Sequence, residues 1–169
     1  MAEIIFFNPG NPAAQGLNKE ALPDIIKVKN YFFNDDFARL SLLDSLKKYA
    51  KKEATLFYPG CGTDLLNPLH YLDTLFPELT EVKMIMNDLD NFFSIHKTIL
   101  YDVGISFEEM DNRISFYWKE KLINLTFLEG NVFDLTLPSF DIYFERAFRI
   151  MKDAYPDYEQ RIFEKLSNN

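Results

Sequence analysis

The stretch TLFYPGCGTDLLNPLHYL, residues 55–72, constrains this chain more than any other. A short apolar run, Thr55 to Tyr58, ends in two glycines one residue apart, and a helical apolar pattern follows. Strand, glycine turn and helix in that order open an α/β unit, and a turn there lies at the carboxyl end of the strand, where open sheets bind ligands. Gly60 and Gly62, lacking Cβ atoms, let the backbone turn sharply and come close to a ligand. The loop is not a Walker loop, because no Gly-Lys-Ser/Thr follows. It also lacks the third glycine of G-x-G-x-x-G, where this chain has Leu65.

The residues around this turn continue the rhythm. Asn67 and Pro68 read as the N-cap and first residue of a helix near 67–76, since proline there lacks only an N–H that has no helical partner. A strand is expected at 82–87 and a helix at 90–103, from Asp90 to just before Gly104. Then ISFYW, a break at Lys119 to Lys121, and LINLTFLEG read as a hairpin with little room for a crossover helix. DIYFERA is expected as a last strand, and a closing helix runs from Pro156 or Asp157 through Leu166. Upstream, EIIFF at 3–7 reads as a short strand and residues 22–32 as helical. A helix starting at Asn34 carries Phe37, Leu40, Leu43 and Leu46 on one face.

At 169 residues the chain fits one domain, which buries roughly 70% of the surface of its unfolded chain. The expected organisation is a single unit over 1–169, with an N-terminal strand and helices over 1–53 and the core over 54–169. A net charge of −8 opposes a phosphate-tracking surface, which needs clustered cations, so nucleic acid is not expected as a partner. The basic run Lys47, Lys48, Lys51 and Lys52 ends a predicted helix, where cations complement the macrodipole. One cysteine excludes an intrachain disulfide. His70, His96 and Cys61 show no zinc-ligand spacing, so no metal is expected. The N-terminus lacks the basic flank and length of a signal peptide and no stretch is long enough to span a bilayer, so the cytoplasm is the expected compartment and no membrane is involved.

TLFYPGCGTD resembles the first motif of the Rossmann-like S-adenosylmethionine-dependent methyltransferases, an apolar strand running into G-C-G-T-G. The resemblance implies an α/β fold with an open, mostly parallel sheet, helices on both faces and, here, a β-hairpin insertion. It implies S-adenosylmethionine as cofactor, with Tyr58, Pro59, Gly60, Cys61, Gly62 and Asp64 forming the loop beside it. Tyr58 stands where the family often has an acid, and Asp64 where it has a third glycine; a carboxylate at 64 repels that of the cofactor unless it turns away. Asp88, with Leu89 after it, matches the acid ending the second strand that holds the ribose hydroxyls; the competing reading is a helix cap, as for Asp90. Asn131 and Val132 match the segment that contacts the adenine, Asn131 being also a natural turn residue. Glu145 and Arg146 fall at the end of the fourth strand, over the transferable methyl group.

The expected function is methyl transfer to a small-molecule or protein acceptor that the sequence does not identify. The alternative is the same fold without catalysis, as a scaffold or partner-binding module. A dinucleotide oxidoreductase is opposed by Leu65, and a nucleophilic Cys61 by the absence of an adjacent histidine in sequence. Tyr117 and Trp118 read as strand packing ahead of ligand stacking. The chain stops at FEKLSNN, where the family continues into further C-terminal strands, so a fragment of a longer protein is one expectation. Another is that residues 3–7, or a second copy in a homodimer, cover the edge beside 141–146.

Overall fold

The computed structural model describes residues 12–32, 51–137, 139–146, 153 and 156–167. The strand expected at 3–7 and the helix expected from Asn34 lie outside the described residues. Six strands form one sheet: β1 (Glu53–Pro59), β2 (Glu81–Asp88), β3 (Phe107–Met110), β4 (Arg113–Trp118), β5 (Lys121–Glu129) and β6 (Ile142–Tyr143), in the order β3-β4-β5-β2-β1-β6. Among the described residues four helices accompany it: α1 (Ile25–Lys29), α2 (Leu66–Leu75), α3 (Phe93–Asp102) and α4 (Tyr158–Ser167).

The sheet corrects the expected fold class. It is mixed, not open and mostly parallel: β1 pairs in parallel with β2 and β6, and β2 with β5, but β3–β4 and β4–β5 are antiparallel. The reason is local. Lys119 and Glu120 form a two-residue turn between Trp118 and Lys121, both residues left-handed at φ 47° and 69°, and two-residue turns join only antiparallel neighbours. A second such turn, with Asp111 at φ 56°, joins Met110 to Arg113. The hairpin is therefore not an insertion beside a parallel sheet; it supplies that side of the sheet, with β3 outermost.

Alternation along the strands decides what each face does. Leu56 and Tyr58, Met84 and Met86, Phe116, and Ile123 and Leu125 point to one face and cluster with Val28 of α1, Leu66, Leu69 and Leu72 of α2, and Ile99 and Leu100 of α3. On the other face Phe57 and Ile85 are buried with Val132, Leu137 and, from α4, Tyr158 and Ile162. Among the described residues that second cover sits toward the carboxyl ends of β1 and β2. Farther back, Thr55, Lys83, Ser115, Asn124 and Thr126 line a groove of about 1120 Å³ together with Met84, Met110 and Leu128.

Element ends also differ from the sequence reading in detail. Helix α2 begins at Leu66, one residue ahead of Asn67, and β6 keeps only two of the residues of DIYFERA. Among the described residues β6 pairs only with β1. No helix among them is long and apolar enough to cross a membrane.

Candidate functional site

The turn between β1 and α2 is built on positive backbone angles at Gly60 (φ 64°) and Gly62 (φ 53°), which glycine adopts without the Cβ penalty. Its amides are used within the protein. Cys61 N–H donates to the Asn87 carbonyl, Asp64 N–H to that of Cys61 and Leu65 N–H to that of Thr63. Gly62 N–H donates to Asp88 Oδ2 at 2.8 Å. The loop therefore presents few free amides to an anion, unlike a phosphate cradle.

Tyr58 and Asp64, the two departures from the resembled motif, are bonded to each other. The Tyr58 hydroxyl donates to Asp64 Oδ2 at 2.8 Å, while Asp64 Oδ1 accepts from the Asn67 backbone N–H at 3.3 Å and from its side-chain amide at 2.7 Å. Arg146 reaches the same carboxylate at 3.4 Å. Asp64 thus turns onto the first turn of α2, and the position-58 side chain lies in the core, edge-on to Phe144 with ring centroids 4.8 Å apart. Burial, and then the Asp64 charge, push the Tyr58 phenol far above its ordinary pKa, so it stays a donor.

Burial and the nearby Asp88 and Asp64 carboxylates likewise raise the Cys61 thiol well above its usual range. A thiol so placed is not a nucleophile at neutral pH. Pro59 is buried at the end of β1.

At the end of β2, Asp88 faces the loop and does not cap α3. Its Oδ1 lies 3.5 Å from the Asp90 amide, and it is Asn91 whose side chain accepts from the first helical N–H, that of Phe93, at 3.0 Å. Asn87, buried beside it, donates to the Leu128 and Gly130 carbonyls at 2.7 and 2.9 Å and ties β2 to the end of β5. Gly60, Asp88, Leu89, Asn131 and Val132 meet around a small cavity of about 60 Å³. Asn131 Oδ1 accepts from the Phe133 amide at 3.0 Å, a turn bond. Val132 is buried in the core under α4, whereas Leu89 is 57% exposed.

No protein-family model matches this chain. Comparison with curated proteins finds no match. Among solved structures the chain is similar to a protein from Listeria monocytogenes provisionally described as a class I S-adenosylmethionine-dependent methyltransferase, at 16% identity and a TM-score of 0.40. The match covers 65% of this chain and 29% of that one, so this chain spans under a third of its neighbour's length. The chemistry of the site must be argued from its own residues.

Glu145 stands apart from the loop. It follows β6, accepts from the Tyr143 hydroxyl at 2.9 Å, and its carboxyl is raised above the usual range by burial. Several residues around the site carry no motif signal. Phe133 and Tyr158 wall the cavity from the loop after β5 and from α4. His96 of α3 lies 2.9 Å from the Gly62 carbonyl. The helical spacing of His96 with Ile99, Leu100 and Val103 marks a buried face, but only the fold shows what that face touches.

Proposed function

We propose that this chain binds S-adenosylmethionine at the carboxyl ends of β1, β2 and β5 and transfers its methyl group to an acceptor. The observation that carries the reading is Asp88, a carboxylate at the end of β2 held toward the glycine loop by Gly62 N–H, with lone pairs left to accept the two hydroxyls of a ribose. The loops around it carry Asp64, Asp88, Asp90, Glu129 and Asp134, and Arg146 after β6 pairs with Asp64, so the balance is acidic and suits a cationic sulfonium better than a pyrophosphate. The occupied loop amides argue the same way against a dinucleotide.

In this reading Gly60 and Gly62 let the backbone approach the nucleoside, Asp88 orients its ribose, and Asn131, Val132 and Phe133 flank the base. S-adenosylmethionine supplies an electrophilic methyl group, and the contribution of the chain is alignment and exclusion of water.

A non-catalytic role of the same fold is favoured by one feature. Cys61 is held as a thiol, His96 is buried and Asp64 is fully bonded, so none of these three is poised as a general base. The two readings separate by experiment. S-adenosylhomocysteine at a hundred times its dissociation constant adds roughly 2.7 kcal/mol of stability, read as a rise in melting temperature that NAD does not produce and that Asp88→Ala removes. No response to any adenosyl compound at millimolar concentration overturns the methyltransferase reading; binding without turnover on any acceptor supports the scaffold.

A further inference from the structure

His96 is fully buried on α3, against the Phe127 ring at a centroid distance of 5.6 Å. Its Nε2 lies 2.9 Å from the Gly62 carbonyl oxygen. A carbonyl only accepts, so Nε2 must carry the proton. Nδ1 is then an unprotonated acceptor, and it is buried with no hydrogen-bond partner among the described residues. A leucine or phenylalanine in this place would pack without an orphaned nitrogen, but among the described residues would leave the Gly62 carbonyl with only the weak Cys61 thiol contact at 3.5 Å. The imidazole leaves one nitrogen unpaired, and what it supplies is a donor to the Gly62 carbonyl.

Gly62 is the residue through which the loop meets Asp88. Its carbonyl accepts from His96 and its N–H donates to Asp88 Oδ2, so the two bonds together fix the left-handed turn at φ 53°. A Cβ at Gly62 would meet nothing within 4 Å, so packing against neighbours does not hold this residue in place; its hydrogen bonds do.

We propose that His96 is a positioning residue for the ligand site: as the Nε2–H tautomer it holds the Gly62 carbonyl, and through the Gly62 amide it sets the direction in which Asp88 presents its carboxylate. The idea rests on the adenosyl-binding reading for its consequence, the recognition of a ribose diol, but not for its mechanism. Burial lowers the imidazole pKa to about 4, so the side chain keeps the same single donor across the neutral range.

The test uses the full chain, with His96→Leu to remove the donor and His96→Gln to replace it with an amide N–H. Ring ¹⁵N spectra of the wild-type protein should show the Nε2–H tautomer unchanged from pH 8 to pH 5.5. The Gly62 amide should exchange with solvent at least tenfold faster in His96→Leu than in wild type, with protection restored in His96→Gln, while amides of the β4–β5 hairpin keep their relative order. Affinity for adenosine over 2′-deoxyadenosine, measured by calorimetry, should narrow at least threefold in His96→Leu and recover in His96→Gln, a change that loss of stability alone does not produce. An Nδ1–H tautomer, or an unchanged Gly62 exchange rate in His96→Leu, overturns the proposal. If His96→Leu does not fold, the tautomer and the His96→Gln exchange rate decide it. If wild type binds no adenosyl compound, the functional reading falls, and the tautomer and exchange results still decide whether His96 positions Gly62.

Discussion

At the carboxyl end of β1 the backbone turns left-handed at Gly60 and Gly62, and at the opposite end of the parallel strands it does so at Lys119 and Glu120. The two places reach a similar conformation by different means. In the hairpin, ordinary side chains accept the strain because the Trp118–Lys121 pair and the ladder behind it close the turn. In the loop, glycines remove the strain, and the geometry is then set by side chains far away in sequence, Asp88 at a separation of 26 residues and His96 at 34. The hairpin is local and answers to the sheet. The loop is assembled from three elements, and that is what a ligand site built at strand ends requires.

The largest effect expected from this difference is in the pH dependence of stability. His96 has a pKa of about 4 in the folded chain against 6.5 when exposed. The unfolded chain therefore takes up the proton first, and the stability contributed by the neutral ring is fully present above pH 6.5 and lost as pH falls toward 4. The loss is on the order of 3 kcal/mol. Urea denaturation from pH 7 to pH 4.5 should show a steeper decline for wild type than for His96→Gln. Parallel curves would mean that the loop is not held by a buried neutral imidazole.

Next in size is the strain itself. Gly62→Val places a β-branched residue at φ 53° and should cost about 2 kcal/mol while abolishing the response to S-adenosylhomocysteine. Cys61→Ser nearly preserves volume at a neighbouring, buried site and should cost less and keep the response. Equal behaviour of the two variants in chemical denaturation and thermal shift would show that the glycine conformation does not matter to the site. Tyr58→Phe should cost about 1 kcal/mol, because Asp64 loses one donor but keeps Asn67 and Arg146. A neutral result would mean that the Tyr58–Asp64 bond contributes nothing net.

What the sequence reveals follows the same division. The strand, glycine turn and helix of residues 55–72 are legible because the signals lie next to one another, and so is the β4–β5 hairpin, whose strands alternate in burial with period two. The character of the sheet is not. Phe107–Met110 buries only Phe107 and exposes Glu108, Glu109 and Met110, so nothing in its pattern announces an edge strand, and without β3 the antiparallel share of the sheet is underestimated. Asp88 is legible as an acid at a strand end. Its bond to Gly62 is not, and neither is the pairing of Tyr58 with Asp64, which turns two apparent departures from a motif into one hydrogen bond. From sequence His96 is read only as lacking zinc-ligand spacing; its burial and its one donor emerge once the fold sets the Gly62 carbonyl in front of it.

The smallest effect sharpens the comparison from the hairpin side. Glu120 is exposed, at φ 69°, in the second position of a two-residue turn, where glycine is the preferred residue. Glu120→Gly relieves a left-handed strain of about 1 kcal/mol but raises the entropy of the unfolded chain by a comparable amount. The net gain should be no more than about half a kcal/mol, with no change in the S-adenosylhomocysteine response. Lys119 is the poorer choice, because its ammonium also pairs with Asp73 at 3.2 Å and its loss would mix two effects. The measurement is a pair of denaturation curves with and without ligand. A change in ligand response on altering Glu120 would mean that the two ends of the sheet are coupled, and that the loop cannot be treated as a site assembled independently of the hairpin.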